Sequence, residues 1–344
     1  MKIYIPKDYR PVLPAEATEL AIQKLKLSFQ DELAESLNLR RVTAPLFVLS
    51  GTGVNDDLNG TERAVSFSVK DMDGRKAEVV HSLAKWKRLK LGQYSIPPGE
   101  GIYTDMNAIR ADEELDNIHS LYVDQWDWEK TVRAEDRNLD FLKGIVEKIY
   151  DVTKSIEKQT CASVSQLEPV LPEKITFIHS EDLLAAFPNL SPREREREAA
   201  REYGAIFVVG IGMTLADGKK HDGRAPDYDD WSTPTRNGYY GLNGDIIFWN
   251  PLIENSFEIS SMGIRVDGAA LLRQLELESC TERRSLAFHQ ALLNGEIPLS
   301  IGGGIGQSRL SMFFLRCAHI GEVQASLWPE EMTAICNQNS IILK

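Results

Sequence analysis

The sequence predicts an α+β fold in which a mostly antiparallel sheet is flanked by helices. Residues 15–37 and 135–159 carry apolar side chains at helical spacing, whereas residues 121–129 place successive side chains on two opposite faces, as a β-strand does. The 344 residues contain no repeat, no low-complexity tract and no linker that would divide them. We therefore expect one domain that spans residues 1–344.

Apolar spacing and turn residues assign the elements of the first half. The stretch 40–49 is rich in Val and Leu, which indicates a strand, although Pro45 interrupts it. Asp73 and Gly74 form a hairpin turn signal between two short strands. The predicted elements are a helix over 15–37, strands over 40–49, 64–69 and 76–80, a helix over 81–91, and strands over 101–109 and 121–129.

In the second half, short apolar runs indicate strands and longer amphipathic segments indicate helices. The segment 180–201 is helical and heavily charged, which is typical of a solvated face. The glycine cluster 302–306 predicts a turn before the last helix. The predicted elements are helices over 135–159 and 180–201, strands over 205–209, 245–249 and 257–267, and helices over 268–277, 283–293 and 307–316.

Composition excludes several classes of function. The net charge of −12 disfavours binding to nucleic acid, which relies on an excess of Lys and Arg, and it argues against an anionic membrane surface. No run approaches the ~20 apolar residues of a membrane helix, and the first seven residues hold no signal-peptide core. The four cysteines lack CxxC spacing, so neither a zinc site nor a disulfide framework is expected. These features predict a cytoplasmic protein.

Two arginines far apart in the chain indicate an anion site. The glycines from Gly302 to Gly306 let the backbone pass close to a flat ligand, and Arg309 follows them with a charged fork for phosphate oxygens. This cluster is neither a P-loop nor a Rossmann fingerprint, and alone it is also compatible with a plain tight turn. Arg110, which ends the apolar strand 101–109, strengthens the interpretation as a site.

The strand 121–129 has one unusually polar face, formed by Val123, Gln125, Asp127 and Glu129. A strand that wets its charged side in solvent would explain this face. Because Arg110 ends a neighbouring strand, however, two strands would aim arginine, glutamine and aspartate at one place. A binding site is the favoured interpretation.

These motifs resemble motifs 2 and 3 of the class II aminoacyl-tRNA synthetases. Further segments resemble the ammonia-dependent asparagine synthetases (aspartate–ammonia ligases), a family related to the aspartyl-tRNA synthetase catalytic domain. The segments that carry this resemblance are HSLAKWK at 81–87, the polar face of 122–129, DYDDWST at 227–233, and the strand 257–267. The match runs from about residue 15 to about residue 330, and it implies a class II synthetase-like fold.

The resemblance implies the ATP-dependent conversion of L-aspartate and ammonia to L-asparagine, AMP and pyrophosphate through a β-aspartyl-adenylate. The catalyst must then bring two anions together. Arg110 would bridge the reacting carboxylate and the α-phosphate, and Arg309 would hold the far side of ATP, which lies over Gly304 and Gly306. Free ammonia is the expected nitrogen donor, because the chain shows no cysteine in the setting of a glutamine-hydrolysing site.

By the same resemblance, acidic and amide side chains bind the amino group of aspartate. The expected contacts are Asp56, Gln125 and Asp127. Asp57 is an alternative to Asp56, since the match there is uncertain by one residue.

Basic residues are expected to bind the carboxylate that does not react. By resemblance these are Lys87 and Arg265, with Ser82 nearby, and Lys87 joins the two arginines as a catalytic residue. Lys85 and Lys87 cannot share one face of the predicted helix, so one of them is expected in solvent, and Lys87 is the expected site residue.

Asp245 and Glu258 match acids that hold Mg²⁺ in the class II fold, and Mg²⁺ prefers one or two carboxylates with phosphate oxygens. Asp245 follows a turn-forming pair and can also be a turn acid, whereas Glu258 lies in an apolar strand, where a buried carboxylate needs a partner. Arg224 and Asp229 lie in a loop that resembles one closing over the nucleotide, although a charged surface loop would explain them nearly as well.

Two other functions compete with this interpretation. An enzyme that loads aspartate or asparagine onto tRNA would need an anticodon-reading module, and no basic segment with barrel-like strands occurs before residue 40 or after 310. A silent paralogue that senses amino acids could lose any of the site residues, all of which are present. Class II catalytic domains usually pair through their first motif, here about 15–49, so a homodimer is expected.

Overall fold

The computed structural model describes residues 3–56 and 62–344. Its strands are β1 (Leu39–Arg41), β2 (Phe47–Leu49), β3 (Ser66–Val69), β4 (Arg75–Val79), β5 (Gly101–Ile109), β6 (Tyr122–Thr131), β7 (Thr176–His179), β8 (Ala205–Val209), β9 (Asn243–Asn250), β10 (Asn255–Ile264) and β11 (Ser300–Gly306). Its α-helices are α1 (Ala15–Leu37), α2 (Ala84–Gln93), α3 (Leu139–Ser163), α4 (Ser180–Ala186), α5 (Pro192–Tyr203), α6 (Gly268–Leu277), α7 (Ala287–Leu293), α8 (Gln307–Phe314) and α9 (Glu330–Gln338).

Eight strands form the main sheet in the order β1-β5-β6-β11-β10-β9-β8-β7. The pairs at its two edges, β1 with β5 and β7 with β8, are parallel, and the pairs between them are antiparallel. A second sheet joins β2, β4 and β3 through antiparallel pairs. The predicted α+β fold with a mostly antiparallel sheet and flanking helices is confirmed.

The helices α1 and α3 pack together, and their apolar stripes bury one face of the main sheet. Trp126 and Trp128 of β6 point into this core, where both are fully buried, and the Trp126 ring stacks on Phe29 of α1 at a centroid distance of 4.4 Å. The alternate side chains of β6 therefore face the opposite side of the sheet, as the period-two pattern predicted. That opposite side carries the polar cleft.

Two predicted elements of the first half have different bounds. The stretch 40–49 is not one strand, because the chain changes sheet around Pro45 and places β1 and β2 in different sheets. The helix predicted at 81–91 begins only at Ala84. Its first residues are held outside the helix, since the Leu83 amide donates to Asp127 Oδ2 at 3.3 Å and Ser82 Oγ donates to Asp56.

Three further predictions are corrected in the second half. The segment 180–201 is two helices, because Ser191 and Pro192 start a new one with a capping box between Ser191 and Glu194. The glycine cluster is the central strand β11 and not a turn, since its backbone is hydrogen-bonded to β6 on one side and to β10 on the other. The helix that follows it is not the last, because α9 comes later.

His319 is a buried titratable group that does not line the polar cleft. Its Nδ1 accepts a hydrogen bond from the Gly321 amide at 3.0 Å, and its ring meets Trp328 edge-on. Nε2 is buried and has no hydrogen-bond partner among residues 3–56 and 62–344. Burial therefore lowers the pKa of His319 to about 4. The folded protein favours the neutral ring, which makes the unfolded chain the stronger proton acceptor.

Acidification is expected to destabilise the protein through His319. Its folded pKa of about 4 lies below the ordinary value of ~6.5, so stability is lost as the pH falls from about 6.5 towards 4. This group should remove about 2 kcal/mol of unfolding free energy between pH 7 and pH 5. Urea unfolding of the wild type and of His319→Asn, which keeps an acceptor for the Gly321 amide, measures the difference. Equal losses in the two proteins would contradict the assignment.

Candidate active site

A cleft of about 410 Å³ opens over the polar face of β6 and the glycine strand β11. Arg110, at the end of β5, and Arg309, in the first turn of α8, both line it. The two arginines that are far apart in the chain therefore meet around one space. The antiparallel neighbours β5, β6 and β11 bring them there.

The glycines of β11 make room for side chains as well as for a ligand. A Cβ on Gly302 would overlap Glu129 Oε2, and one on Gly304 would overlap Gln125 Oε1 and lie 2.9 Å from Asp127 Oδ1. A Cβ on Gly306 would lie 3.1 Å from the Cβ of Arg309. Gly302 and Gly304 thus lie where polar side chains of β6 lean across β11, and Gly306 lies against Arg309.

A buried ion-pair network forms one wall of the cleft. Arg265 donates to Glu129 Oε2 at 2.9 Å and to Asp229 Oδ1 at 2.5 Å, and all three side chains are nearly inaccessible. Although burial opposes the change, Glu129 and Asp229 raise the pKa of Arg265. Burial raises the pKa of Asp229, against the attraction of Arg265. Glu129 was expected on the polar face of the strand, but its pairing with Arg265 could not be inferred from spacing.

Lys87 lies beside this network. Its Nζ is 2.9 Å from Asp127 Oδ1, and it donates to the carbonyl oxygens of Trp128 at 3.0 Å and Gly303 at 3.2 Å. Three protein acceptors therefore surround the three N–H groups of the ammonium. Burial lowers the pKa of Lys87, and Asp127 opposes that change.

The residues expected at the amino group of a substrate lie together at one end of the cleft. Asp56, Gln125 and Asp127 all line it. Ser82, which was expected near the carboxylate that does not react, instead donates from its Oγ to Asp56 Oδ2 at 3.0 Å. The alternative Asp57 lies outside the described residues. Two carboxylates and an amide oxygen at one end form a set of acceptors suited to an ammonium group.

Lys85 is buried and not in solvent, contrary to the prediction. It donates to Asp227 Oδ2 at 3.0 Å, and His289 Nε2 lies 3.1 Å from the same oxygen. Helical spacing correctly predicted that Lys85 and Lys87 point in different directions. Lys85, however, faces the buried loop 224–230 and not solvent. This ion pair ties α2 to the loop that carries Tyr228 and Asp229.

Asp245 and Glu258 come from the neighbouring strands β9 and β10. Glu258 lines the cleft beside Arg309, whereas Asp245 is buried behind Arg224 and is not among the lining residues. The register of β10 shifts between Glu258 and Ser260, which marks a β-bulge. Without it, Glu258 and Ser261 would point to opposite faces, yet both line the cleft. The expectation of a buried Glu258 is therefore wrong: its side chain is 49% exposed, towards the cleft.

Each of these acids has an arginine beside it. Arg224 Nη2 donates to both carboxylate oxygens of Asp245, at 2.6 and 2.5 Å. Arg309 Nη1 donates to the Glu258 carbonyl at 2.9 Å and lies 3.7 Å from its Oε2. Burial raises the pKa of Asp245, with Arg224 opposing the rise and Glu258 adding to it.

Arg110 and Arg224 both line the cleft, and each has a buried Nε without a hydrogen-bond partner among the described residues. Arg110 lies at the end of β5, and its amide is fixed by the Leu121 carbonyl at 2.8 Å. His119, on the following loop, also lines the cleft, with Nδ1 2.9 Å from Asp116. Sequence spacing alone gave no signal for His119. The cleft thus combines an arginine-rich end with an end that is rich in hydrogen-bond acceptors.

A protein-family model described as aspartate-ammonia ligase matches residues 16–340. The chain is 59% identical to an aspartate–ammonia ligase of Parabacteroides distasonis over 327 residues, which cover 95% of each chain. It is 58% identical to one of Bacteroides fragilis over 338 residues, or 98% of each chain.

Solved structures of low sequence identity share the fold. Asparaginyl-tRNA synthetase of Entamoeba histolytica, in complex with asparaginyl-adenylate, has a TM-score of 0.64 at 13% identity, over 90% of this chain and 66% of that one. The synthetase of Pyrococcus horikoshii, also with asparaginyl-adenylate, has a TM-score of 0.63 at 18% identity, over 91% and 70%.

Proposed function

The chain belongs to the aspartate–ammonia ligase family and makes asparagine from aspartate and ammonia, and from this premise we propose that its cleft works through a β-aspartyl-adenylate. The β-carboxylate of L-aspartate attacks the α-phosphorus of ATP and releases pyrophosphate. Ammonia then attacks the acyl carbon and releases AMP. The observation that carries this proposal is the meeting of Arg110 and Arg309 around one cleft whose other end suits an amino acid.

Adenylation brings two anions together, so the main task of the protein is to neutralise and orient them. Arg110 has a buried Nε with no partner among the described residues, and it would bridge the reacting carboxylate and the α-phosphate. Arg309 would hold the far side of ATP. The backbone at Gly304 and Gly306 would lie under the nucleotide, with Arg224 and Asp229 beside it.

Aspartate would bind between the acceptor-rich end and the ion-pair wall. Asp56, Gln125 and Asp127 would accept hydrogen bonds from its amino group, with Ser82 close by. Lys87 and Arg265 would attract the carboxylate that does not react. Since the N–H groups of Lys87 already have protein acceptors, its contribution would be the charge rather than a new hydrogen bond.

The donor set at Asp245 and Glu258 fits Mg²⁺. Two carboxylates on adjacent strands suit an ion that keeps phosphate oxygens and water as its other ligands. No group of three or more His, Cys, Asp or Glu side chains placed to hold a metal occurs within residues 3–56 and 62–344, so a full protein cage is not offered there. When bound, the ion would neutralise charge on the phosphates of ATP.

We also propose a homodimer and a cytoplasmic location. The segment that matches the first class II motif, about 15–49, carries exposed apolar side chains, including Leu20 at 64% and Phe47 at 49% exposure.

The four cysteines are free thiols, which supports a reducing compartment. None of the helices in the described ranges is long and apolar enough to cross a bilayer.

The proposed reaction is tested by measuring pyrophosphate and asparagine in the absence of tRNA. Aspartate, ATP, Mg²⁺ and ammonia should together give both products, and omitting ammonia should remove asparagine. A strict requirement for tRNA would favour a charging enzyme, the function of the solved relatives. Saturable aspartate binding without turnover would favour a sensor.

A further inference from the structure

We propose that Arg224 and Arg309 act as counter-ions of Asp245 and Glu258 when no nucleotide is bound, so that the divalent cation enters together with the nucleotide and not before it. This inference rests on the proposed function, because it assumes that the two acids hold the metal. It adds an order of binding and a second role for Arg224.

The first support is the contact between Arg224 and Asp245. One nitrogen of the guanidinium donates to both oxygens of the carboxylate and lies 3.4 Å from Ser261 Oγ. Both side chains are largely buried, at 9% and 7% exposure. The guanidinium therefore takes the position from which a cation would engage Asp245. It also supplies the positive charge that a buried carboxylate needs.

The second support is a looser contact at the other acid. Arg309 donates to the backbone carbonyl of Glu258 at 2.9 Å and lies 3.7 Å from the carboxylate oxygen Oε2 of this half-exposed side chain. Both carboxylate oxygens of Asp245 are paired with Arg224, which also contacts Asp222. A divalent ion that arrived alone would have to displace the Arg224 guanidinium, which would leave two positive charges close together. Without nucleotide, the two acids are thus poorly suited to a free cation.

ATP changes this balance because its phosphates offer new partners to the arginines and to the divalent cation. Guanidinium groups bind phosphate oxygens with charge-assisted hydrogen bonds, so the two arginines can pass from carboxylate to phosphate. The carboxylates are then free to bind the ion that the nucleotide brings. One terminal nitrogen of Arg224 holds Asp245, and the other contacts Asp222 and the Gly223 carbonyl within its own loop, so only the first contact has to be exchanged for phosphate.

The test measures the binding of Mn²⁺, without other ligands, to the full chain. The paramagnetic signal of the unbound ion reports how much Mn²⁺ remains free. Wild type should bind Mn²⁺ weakly without nucleotide and at least about tenfold more tightly with α,β-methylene-ATP. By reciprocity Mn²⁺ should tighten analogue binding by the same factor. Without nucleotide, Arg224→Gln should bind Mn²⁺ at least about tenfold more tightly than wild type. The increase in its Mn²⁺ affinity on adding the analogue should be smaller than in wild type.

Two variants make the result specific. Arg224→Lys keeps a cation beside Asp245 and should bind free Mn²⁺ as weakly as wild type. Arg193→Gln removes an exposed arginine that lines the same cleft and should also behave as wild type. Equal Mn²⁺ affinity in wild type and Arg224→Gln, or an equal gain in Arg193→Gln, would overturn the inference. Aspartate-dependent pyrophosphate exchange by wild type decides the proposed function separately.

Discussion

Replacing Arg110 with alanine is expected to lower aspartate-dependent exchange of pyrophosphate into ATP by at least about a hundredfold. The guanidinium lies in the cleft, and its buried Nε has no partner among the described residues. In the proposed adenylation it contacts both reacting anions, whose charge concentrates as the bond forms. The loss should therefore appear mainly in the rate of adenylate formation.

Two comparisons identify the cause of that loss. Arg110→Lys restores the charge without the planar fork and should recover only part of the rate. Arg133→Ala removes an arginine that is 65% exposed and distant from the cleft lining, and it should exchange as wild type does. Near-normal exchange in Arg110→Ala would mean that the site has been assigned to the wrong cleft.

Gly304→Ala is expected to reduce kcat/KM for aspartate by about a hundredfold and to raise the KM for ATP as well, because Gly304 also lies under the proposed nucleotide. The new methyl group would overlap Gln125 Oε1 and approach Asp127 Oδ1, and displacing positioning groups by about 1 Å can cost that much. Because Gln125 can yield at its flexible end, the melting temperature should fall only slightly. Steady-state kinetics with each substrate varied in turn measure the effect.

A second glycine provides the matched control. Gly144 lies within α3, and a Cβ there would meet nothing within 4 Å. Gly144→Ala should keep wild-type kinetics and stabilise the protein by about 0.5–1 kcal/mol, because alanine loses less freedom in a helix. A wild-type KM for aspartate in Gly304→Ala would show that Gln125 and Asp127 do not position the substrate.

Local patterns predicted the sheet and the polar face of β6 because side-chain alternation is a property of the strand itself. The same residues, Gln125, Asp127 and Glu129, indeed face the cleft or its wall. The glycine cluster was predicted to lie beside the cleft, as it does, but it was assigned to a turn and not to a strand. Glycine signals a turn from sequence alone, and here pairing with β6 and β10 overrides that signal.

The features that escaped prediction depend on contacts between distant parts of the chain. The bulge that exposes Glu258 comes from its pairing with β9 and not from its own neighbours. Lys85 is buried because Asp227, 142 residues later, folds against it. The pairing of Arg224 with Asp245 likewise needs a loop and a strand to meet, which spacing cannot reveal.

The central position of β11 matters for the design of inhibitors. Its backbone is committed to ladders on both sides, so a compound cannot push it down without breaking hydrogen bonds to two neighbouring strands. The strand β11 is therefore a rigid surface against which flat, rigid inhibitor scaffolds can be designed. Selectivity is better sought at the arginines of the rim, whose partners can be exchanged for anionic groups on the compound.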